Sequence, residues 1–324
     1  MFYPKQFKKG DTIEIVAPSN GISAKDITKL EKAISYLEKK GYKVIEGKNV
    51  RKSKNGVSSS KKERALELNT AFKNKNSLLV IACSGGDYAI NIFDLVNYNL
   101  LKKNPKWIEG HSDITSILHY ITTKLDIATI YNFNCKRISR YDVFPTNMIS
   151  NNMKLLNHKE IIQSEYKIVI TDEGKKQSRC ECITEEKNVK GRIIGGTLEC
   201  LKDIIGTKYD YTKKFIKKYS SDGIIWYFDI YTMTNEDILR TMWQFKNSGW
   251  FDNTKAIVIG RLFEEKSFTG IDLKTALLDS LKDLNVPIII NADIGHTDPV
   301  ISIVNGSIVE IKKDKYYTFK TFFE

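Results

Sequence analysis

Ser112 stands where a serine hydroxyl could act as the nucleophile of an acyl-transfer reaction. Residues 106–120 predict a short strand, a tight turn at Gly110 and an amphipathic helix, so Ser112 falls at the corner between strand and helix. Acyl-transfer enzymes place a nucleophile at such a corner, beside unpaired backbone N–H groups. The motif is incomplete, because Ile114 stands where the second glycine of G-x-S-x-G is expected. A serine that only caps the helix would give the same pattern.

A second glycine turn, Ser84-Gly85-Gly86-Asp87, follows an unbroken apolar run at residues 78–82. Paired glycines at the end of a strand allow successive backbone N–H groups to bind an anion. A plain tight turn is the alternative interpretation. The sequence contains neither G-x-G-x-x-G nor a P-loop, so it offers no fingerprint of a nucleotide cofactor.

A serine nucleophile usually needs a general base within about 3 Å. The chain has four histidines. His111 adjoins the serine and would point away from it, His119 lies further along the predicted helix, and His158 belongs to a polar segment. His296 remains, after an apolar strand that ends in a glycine turn. A lone histidine after a strand is usually structural, so this assignment depends on Ser112 being a nucleophile.

The third member of such a triad is a carboxylate that orients the imidazole. Asp229 ends the apolar run at residues 223–229. A carboxylate at the end of a buried strand is costly unless it is paired, which favours Asp229 as this acid. A turn or cap aspartate is the structural alternative, and Asp293, three residues before His296, is the second candidate.

These residues must be positioned by regular elements, and the N-terminal half alternates predicted strands and helices. Unbroken apolar strands joined by helices are typical of a parallel, doubly wound sheet, which places sites at the carboxyl ends of its strands. The second half is mixed, with a polar stretch at residues 147–186 that has no helical period and a predicted closing hairpin at residues 301–312. The helices predicted for the first half are residues 27–40, 61–72, 89–96 and 114–124.

A chain of 324 residues exceeds the usual size of a single core, so we expect two domains. The expected fold is α/β, with an N-terminal doubly wound parallel-sheet domain of the flavodoxin or glutamine-amidotransferase type and a smaller C-terminal α+β domain. Residues 1–150 would carry the nucleophile, residues 151–185 would be a crossing segment, and residues 186–324 would carry the acid and base.

Composition excludes several classes of protein. With 41% hydrophobic and 28% charged residues, the chain is typical of soluble globular proteins. It has no signal peptide and no apolar stretch of about 18 residues, so we expect no membrane association. Five cysteines without a C-x-x-C pair indicate free thiols and a cytoplasmic location. The net charge of +12 comes without a nucleic-acid-binding module, so we expect a solvated lysine-rich surface and no nucleic-acid partner.

Over nearly its whole length the sequence resembles the LD-carboxypeptidase family of serine peptidases, which includes the microcin C immunity proteins. The order and spacing of short motifs carry the resemblance, and the Gly-Gly-Asp turn and Asn-Pro-Lys segment favour the microcin-immunity-like branch. The motifs are Gly10–Ser19, Arg64–Asn69, Ser84–Asp87, Asn104–Lys106, Gly110–Thr115, Gly195-Gly196, Gly206-Thr207, Gly249–Phe251, Gly260-Arg261 and Gly295-His296.

The resemblance implies a triad in which Ser112 is the nucleophile and His296 the base. The family's acid falls on Asp229, where glutamate is expected, and the shorter side chain needs compensating backbone movement to reach the histidine. The implied oxyanion hole uses the backbone N–H of Asp113 and one from Gly85 or Gly86. The resemblance implies no metal or organic cofactor. It does imply a homodimer.

Two further departures from the family pattern concern substrate choice. His111 stands where tyrosine is common, and Asn132-Phe-Asn134 where Gly-Pro is common. We expect Ser84, Asp87 and Asn132 to contact substrate. The sequence thus predicts a serine carboxypeptidase acting on an L,D-bond of murein peptides. The alternatives are a microcin-type hydrolase of aminoacyl-nucleotide amides and a catalytically impaired binding protein.

Overall fold

The computed structural model of the chain describes residues 1–171 and 173–324, which form two compact units. Unit 1 comprises Met1–Lys159 together with Ser302–Asn305, and unit 2 comprises Glu160–Ile301 together with Gly306–Glu324. The chain therefore leaves unit 1, builds most of unit 2, returns for four residues and then completes unit 2. The two units are of nearly equal length.

Unit 1 is built on a sheet whose strand order is β14-β5-β4-β3-β1-β2 among the described residues. The strands β1 to β5 are mutually parallel, and β14 pairs antiparallel with β5. The order β2-β1-β3-β4-β5 is that of flavodoxin-like doubly wound sheets. This confirms the predicted parallel sheet. The strands are β1 (Thr12–Val16), β2 (Lys43–Glu46), β3 (Ser77–Ala82), β4 (Trp107–Gly110), β5 (Thr129–Tyr131) and β14 (Ile303–Asn305).

Helical segments join the strands of unit 1. The α-helices are α1 (Ile27–Lys39), α2 (Lys61–Lys73), α3 (Tyr98–Lys103), α4 (Thr115–Tyr120) and α5 (Asn147–Leu156). The helix expected at residues 89–96 is the 3-10 segment Ala89–Leu95, and the one expected at 114–124 is α4 flanked by the 3-10 turn Ser112–Ile114 and the π-helical Ile121–Leu125. Further 3-10 turns are Ala24–Asp26 and Cys135–Arg140.

Unit 2 contains a mixed sheet with the order β6-β16-β15-β10-β11-β12-β13-β9. The central strands β10 to β13 are parallel, and the outer pairings are antiparallel. Its strands are β6 (Ile161–Ser164), β9 (Glu181–Cys182), β10 (Val189–Thr197), β11 (Ile224–Asp229), β12 (Thr254–Gly260), β13 (Ile288–Ala292), β15 (Ile308–Lys313) and β16 (Tyr317–Phe322). A separate antiparallel pair is β7 (Ile168–Thr171) and β8 (Gly174–Gln177). The helices are α6 (Leu198–Lys202), α7 (Thr212–Lys218), α8 (Asn235–Asn247), α9 (Leu273–Leu281) and the 3-10 turn Lys282–Leu284.

Two expectations about individual elements were wrong. The stretch expected to lack helical character begins with α5, which belongs to unit 1. Its helical period is hidden because Asn151 and Asn152 lie on the buried face beside apolar residues. The hairpin expected at residues 301–312 does not form, since β14 pairs with β5 whereas β15 pairs with β16. Among the described residues, no helix has the length and apolar character needed to cross a membrane.

The buried Asn152 donates a hydrogen bond of 2.9 Å to Oε1 of Glu109, a fully buried carboxyl on β4. The backbone N–H of Phe133 donates to the same oxygen at 3.4 Å. Burial raises the pKa of Glu109 to about 7, because the desolvation of the carboxylate outweighs these two hydrogen bonds. The contribution of protonated Glu109 to the free energy of unfolding is therefore fully present below pH 4.5, and it is lost as the pH rises through 7.

We expect Glu109→Gln to be more stable than the wild type above pH 7, by up to about 3 kcal/mol, and to lose that advantage towards pH 4.5. Glutamine keeps the accepting oxygen but cannot ionise. Urea unfolding at pH 5 and pH 8 measures the difference, with Glu38→Gln as the control that removes an exposed carboxylate. A difference that is the same at both pH values would contradict this assignment.

Candidate active site

Ser112 has a left-handed backbone, with φ of +62°. It is the first residue of the 3-10 turn Ser112–Ile114, which follows β4 and leads into α4. A non-glycine residue in this region is strained, and such strain concentrates at functional sites, including the corners that carry nucleophiles. The N-cap residue of the 3-10 turn is His111, and the N-cap residue of α4 is Ile114. Ser112 therefore does not cap either segment.

Gly110 and Ile114 explain why the motif at this corner has one glycine. A Cβ atom on Gly110 would lie 2.5 Å from Cγ2 of Ile114, which is an impossible contact. The isoleucine side chain therefore fills the space beside the strand end, and only glycine fits at residue 110. The corner is closely packed without the second glycine.

The turn at residues 84–87 lies against the serine. A Cβ atom on Gly85 would approach Cβ of Ser112 to 3.0 Å and its Oγ to 3.3 Å. Gly86 has φ of +145°, and a Cβ atom there would lie 2.4 Å from Oγ of Ser19. Glycine at residue 85 brings the backbone of this turn against Ser112, and glycine at residue 86 brings it against Ser19. The two turns that the sequence singled out thus meet within unit 1, where Ser84 is half-buried and Asp87 exposed.

The side chain of Asp113 has a structural role in unit 1. Its Oδ2 accepts hydrogen bonds from Oγ of Ser19 and, at 2.8 Å, from the backbone N–H of Ala89. Oγ of Ser19 in turn accepts from the backbone N–H of Tyr88 at 3.1 Å. Burial raises the pKa of Asp113, while these hydrogen bonds favour its charged form. The carboxylate therefore joins three loops around the corner, a function that the sequence did not predict.

Two asparagines after β5 behave differently. Asn134 accepts a hydrogen bond from the backbone N–H of His111 at 3.1 Å, and its Nδ2 donates to the His111 carbonyl at 3.3 Å, so it fixes the residue before the serine. Asn132 is 1% exposed, and its amide nitrogen and oxygen have no hydrogen-bond partner among the described residues. An unsatisfied buried amide is rare in native proteins, because its desolvation is not compensated. Of the two asparagines at the place of Gly-Pro, Asn134 thus has a structural role, whereas the side-chain amide of Asn132 makes no hydrogen bond within the described residues.

In unit 2, His296 and Asp229 are hydrogen-bonded. Nδ1 of His296 lies 3.0 Å from Oδ1 and 2.9 Å from Oδ2 of Asp229. Asp229 ends β11 and is completely buried, and its Oδ2 also accepts a hydrogen bond of 3.2 Å from Oγ1 of Thr197. With Nδ1 donating to the carboxylate, Nε2 of the neutral imidazole is the atom that can accept a proton.

A close approach of backbone to side chain allows the aspartate to reach the histidine. Gly295, directly before His296, has φ of +107°, and a Cβ atom there would lie 2.2 Å from Oδ1 of Asp229. Because residue 295 has no side chain, the loop lies against the carboxylate. The backbone of residue 295 therefore lies directly against the carboxylate that is hydrogen-bonded to His296.

Asp293, the second candidate for the acid, is paired with Arg261. The guanidinium bonds to the Asp293 carboxylate, and the backbone N–H of Tyr166 is within hydrogen-bond distance of the other carboxylate oxygen. Nε of Arg261 also donates to Oγ1 of Thr297 at 2.9 Å, and Nη2 donates to the carbonyl of Pro299. Arg261 therefore stabilises the loop on both sides of His296, and Asp293 is engaged elsewhere than at the imidazole.

Two residues near His296 were not found from the sequence. The ring of Tyr231 stacks on the imidazole with 4.3 Å between centroids and 23° between planes. Oε1 of Glu199, on α6, accepts hydrogen bonds from the backbone N–H groups of Tyr231 at 3.0 Å and Thr232 at 2.8 Å. Tyr231 is two residues beyond Asp229, a spacing that gives no signal before the fold is known.

The other histidines of the chain have different surroundings. His119 is completely buried in α4, and Nε2 of His158 lies 2.7 Å from the carbonyl oxygen of Pro4. His111 is 6% exposed, with its ring 5.3 Å from that of Tyr131. At His296, Nδ1 is hydrogen-bonded to a buried carboxylate, which is the arrangement expected of a general base.

Comparison with known proteins gives a consistent result for both units. Residues 13–132 match the model of the LD-carboxypeptidase N-terminal domain, and residues 190–311 match the model of its C-terminal domain. A protein of Vibrio cholerae named as a carboxypeptidase is 27% identical, over 99% of this chain and 97% of its own length. A Bacillus subtilis protein named as a murein peptide carboxypeptidase is 24% identical, over 94% and 90% respectively.

Among solved structures, the microcin C7 self-immunity protein MccF in complex with aspartyl sulfamoyl adenosine has the same fold. The TM-score is 0.86 with 22% identity, covering 100% of this chain and 99% of MccF. At this level of identity the likeness concerns the fold alone.

Proposed function

This chain belongs to the LD-carboxypeptidase family and is a hydrolase of the serine peptidase type; from that premise we propose that it removes a carboxyl-terminal residue from murein peptides by cleaving an L,D-bond. We assign Ser112 as the nucleophile, His296 as the general base and Asp229 as the acid that orients it. The observation that carries the proposal is the left-handed backbone of Ser112 at a strand-to-helix corner, with Gly85 against its side chain. Nucleophiles at strand-to-helix corners have a strained backbone of this kind, which supports the assignment.

The proposed reaction begins when Nε2 of His296 takes the hydroxyl proton of Ser112. Oγ then attacks the scissile carbonyl carbon, and the carbonyl oxygen becomes an oxyanion. The backbone N–H of Asp113 and one from Gly85 or Gly86 are proposed to bind that oxyanion, each donor contributing about 2.7–4 kcal/mol in comparable enzymes. His296 returns the proton to the leaving amine, and Asp229 stabilises the imidazolium meanwhile. Water, deprotonated by His296, then hydrolyses the acyl-enzyme.

A carboxypeptidase must also bind the free carboxylate and polar groups of its substrate. We propose that the turn of Ser84 to Asp87 contributes backbone N–H groups to this contact. Asn132 is proposed to contact the substrate through its amide, which is buried and has no partner among the described residues. A substrate amide could satisfy both the donor and the acceptor of that side chain, removing the cost of leaving them unpaired.

A second candidate function is hydrolysis of an aminoacyl-nucleotide amide. The observation that favours it is a pair of exposed aromatic rings, Tyr231 at 42% and Phe263 at 57% exposure, with 5.2 Å between their centroids. Of the two, Tyr231 stacks on the imidazole of His296. Because the base protonates the leaving group, the leaving group must lie near His296. The leaving group of an aminoacyl-nucleotide amide carries a planar nucleobase, which could stack on these rings. The single amino acid released from a murein peptide would not need them.

The test is to assay the purified protein on a murein tetrapeptide and on an aminoacyl-sulfamoyl adenylate, measuring the released D-amino acid or sulfamoyl nucleoside. A fluorophosphonate probe followed by peptide mass spectrometry identifies the modified serine. Hydrolysis of the tetrapeptide with the adduct on Ser112 supports the first proposal, and hydrolysis of the adenylate alone supports the second. If neither substrate is cleaved and Ser112 is not labelled, the chain is a binding protein, the third alternative.

We further propose that the protein is a cytoplasmic homodimer that acts in peptidoglycan recycling. The five free cysteines support the location, because free thiols persist in reducing compartments. The resemblance to the family supports the dimer. Light scattering during size-exclusion chromatography would give the mass in solution, to be compared with the 37.2 kDa of one chain.

A further inference from the structure

We propose that Tyr231 is a positioning residue that fixes the plane of the His296 imidazole, and that Glu199 holds Tyr231 in place for this purpose. The inference rests on the proposed role of His296 as the general base. All of its contacts lie within unit 2.

The hydrogen bond to Asp229 only weakly restrains rotation of the His296 imidazole about the Nδ1–H direction. Both carboxylate oxygens are about equally distant from Nδ1, at 3.0 and 2.9 Å, so the donor is shared between them. Such a bond fixes the direction of the Nδ1–H group but restrains rotation about that direction weakly. The final torsion of a histidine side chain is also broad, so its rotamer preference does not fix the ring plane. A second contact is needed to keep Nε2 directed at one point.

Tyr231 supplies that contact. Its ring is nearly parallel to the imidazole, at 23° and 4.3 Å, so rotation of His296 out of its plane would break the stack. The hydrogen bond therefore fixes the direction of the Nδ1–H group of His296, and the stack restrains rotation of the imidazole about that direction. This matters because an aspartate, rather than a longer side chain, is the partner at Nδ1.

Glu199 fixes the backbone that carries the tyrosine. Its Oε1 accepts from the N–H groups of Tyr231 and Thr232, which follow the end of β11 by two and three residues. One carboxylate oxygen thus orders the short segment between the acid and the stacking ring. Since Tyr231 is 42% exposed, burial alone would not hold it there.

The test compares Tyr231→Leu with Tyr231→Phe, which retains the stack, and with Trp243→Leu, which removes an exposed aromatic ring from α8. On the murein tetrapeptide, whose small leaving group does not need the Tyr231 ring, we expect Tyr231→Leu to lower kcat about 10-fold with KM unchanged, because the stack on His296 is lost while substrate binding is not. Tyr231→Phe and Trp243→Leu should match the wild type. Glu199→Ala should resemble Tyr231→Leu, and Glu199→Gln, which keeps the accepting oxygen, should not.

A second measurement does not depend on activity. The chain has only four histidines, so the ring carbons of ¹³C-labelled His296 can be assigned with His296→Gln and their relaxation measured. We expect faster ring motion in Tyr231→Leu and wild-type motion in Tyr231→Phe, at unchanged melting temperatures.

Unchanged ring motion in Tyr231→Leu would overturn the inference, as would an unchanged kcat or a rise in KM alone. If the wild type hydrolyses neither test substrate, the proposed function fails and the ring relaxation still decides whether Tyr231 positions His296.

Discussion

Replacing Ser112 by alanine is expected to lower kcat/KM by about 10⁴-fold or more on whichever substrate the wild type hydrolyses, because the covalent route is lost with the hydroxyl. The loss should appear in kcat, since the oxyanion donors and the substrate contacts are retained. Fluorophosphonate labelling should disappear as well. Steady-state kinetics and intact-protein mass spectrometry would measure the two effects.

Alanine can adopt the left-handed backbone of residue 112 only at the cost that serine already bears, so the melting temperature should change little. Ser150→Ala, at an exposed position on α5, is the matched control and should retain wild-type activity. If Ser112→Ala hydrolyses substrate at the wild-type rate, another residue is the nucleophile and the proposed triad is wrong.

Replacing Asp229 by glutamate is expected to lower kcat/KM by about 10²-fold, although it introduces the residue that the family pattern calls for. Asp229 is completely buried, and its Oδ1 lies where a side chain on Gly295 would be. An additional methylene must therefore displace the loop that carries His296, and a displacement of about 1 Å at a catalytic group costs about this much. We therefore expect a glutamate at residue 229 to be incompatible with the present position of the Gly295 loop.

Asp229→Asn provides the comparison, because it preserves the size of the side chain while removing its charge. We expect about a 10⁴-fold loss for asparagine, as the imidazole is then neither held in the correct tautomer nor stabilised when protonated. Crystal structures of both variants would locate residues 295 and 296. A glutamate variant as active as the wild type would show that the close approach of Gly295 is unimportant for reach.

Much of the fold could be predicted from local sequence. The apolar strands β3 and β11 are buried at every residue except Leu78, and this burial is reflected directly in their residue types. Such a signal is absent where polar groups are buried with partners, as in α5, whose Asn152 bonds to Glu109. It is also absent in β14, because three residues cannot specify which of two sheets they join.

Some residues of the candidate site could likewise be found from local sequence, and others could not. Ser112, Asp229 and His296 stand out because each lies at or shortly after the end of a predicted apolar strand, and their joint role remains a proposal. Tyr231 and Glu199 could not be found, since a ring stack and a bond to two backbone N–H groups depend on segments distant in sequence. Arg261 belonged to a recognised Gly-Arg motif, but its bonds around the histidine loop follow only from the structure.

The strand β14 has a consequence for how the protein is made. Thr129–Tyr131 would remain the unpaired edge of its sheet during synthesis until Ile303–Asn305 emerges from the ribosome, more than 170 residues later. A fragment ending at Lys159 lacks this edge strand, so the nascent first half would expose backbone groups to other chains. Recombinant production of that half alone should therefore give aggregates, and its folding in cells should depend on completion of translation.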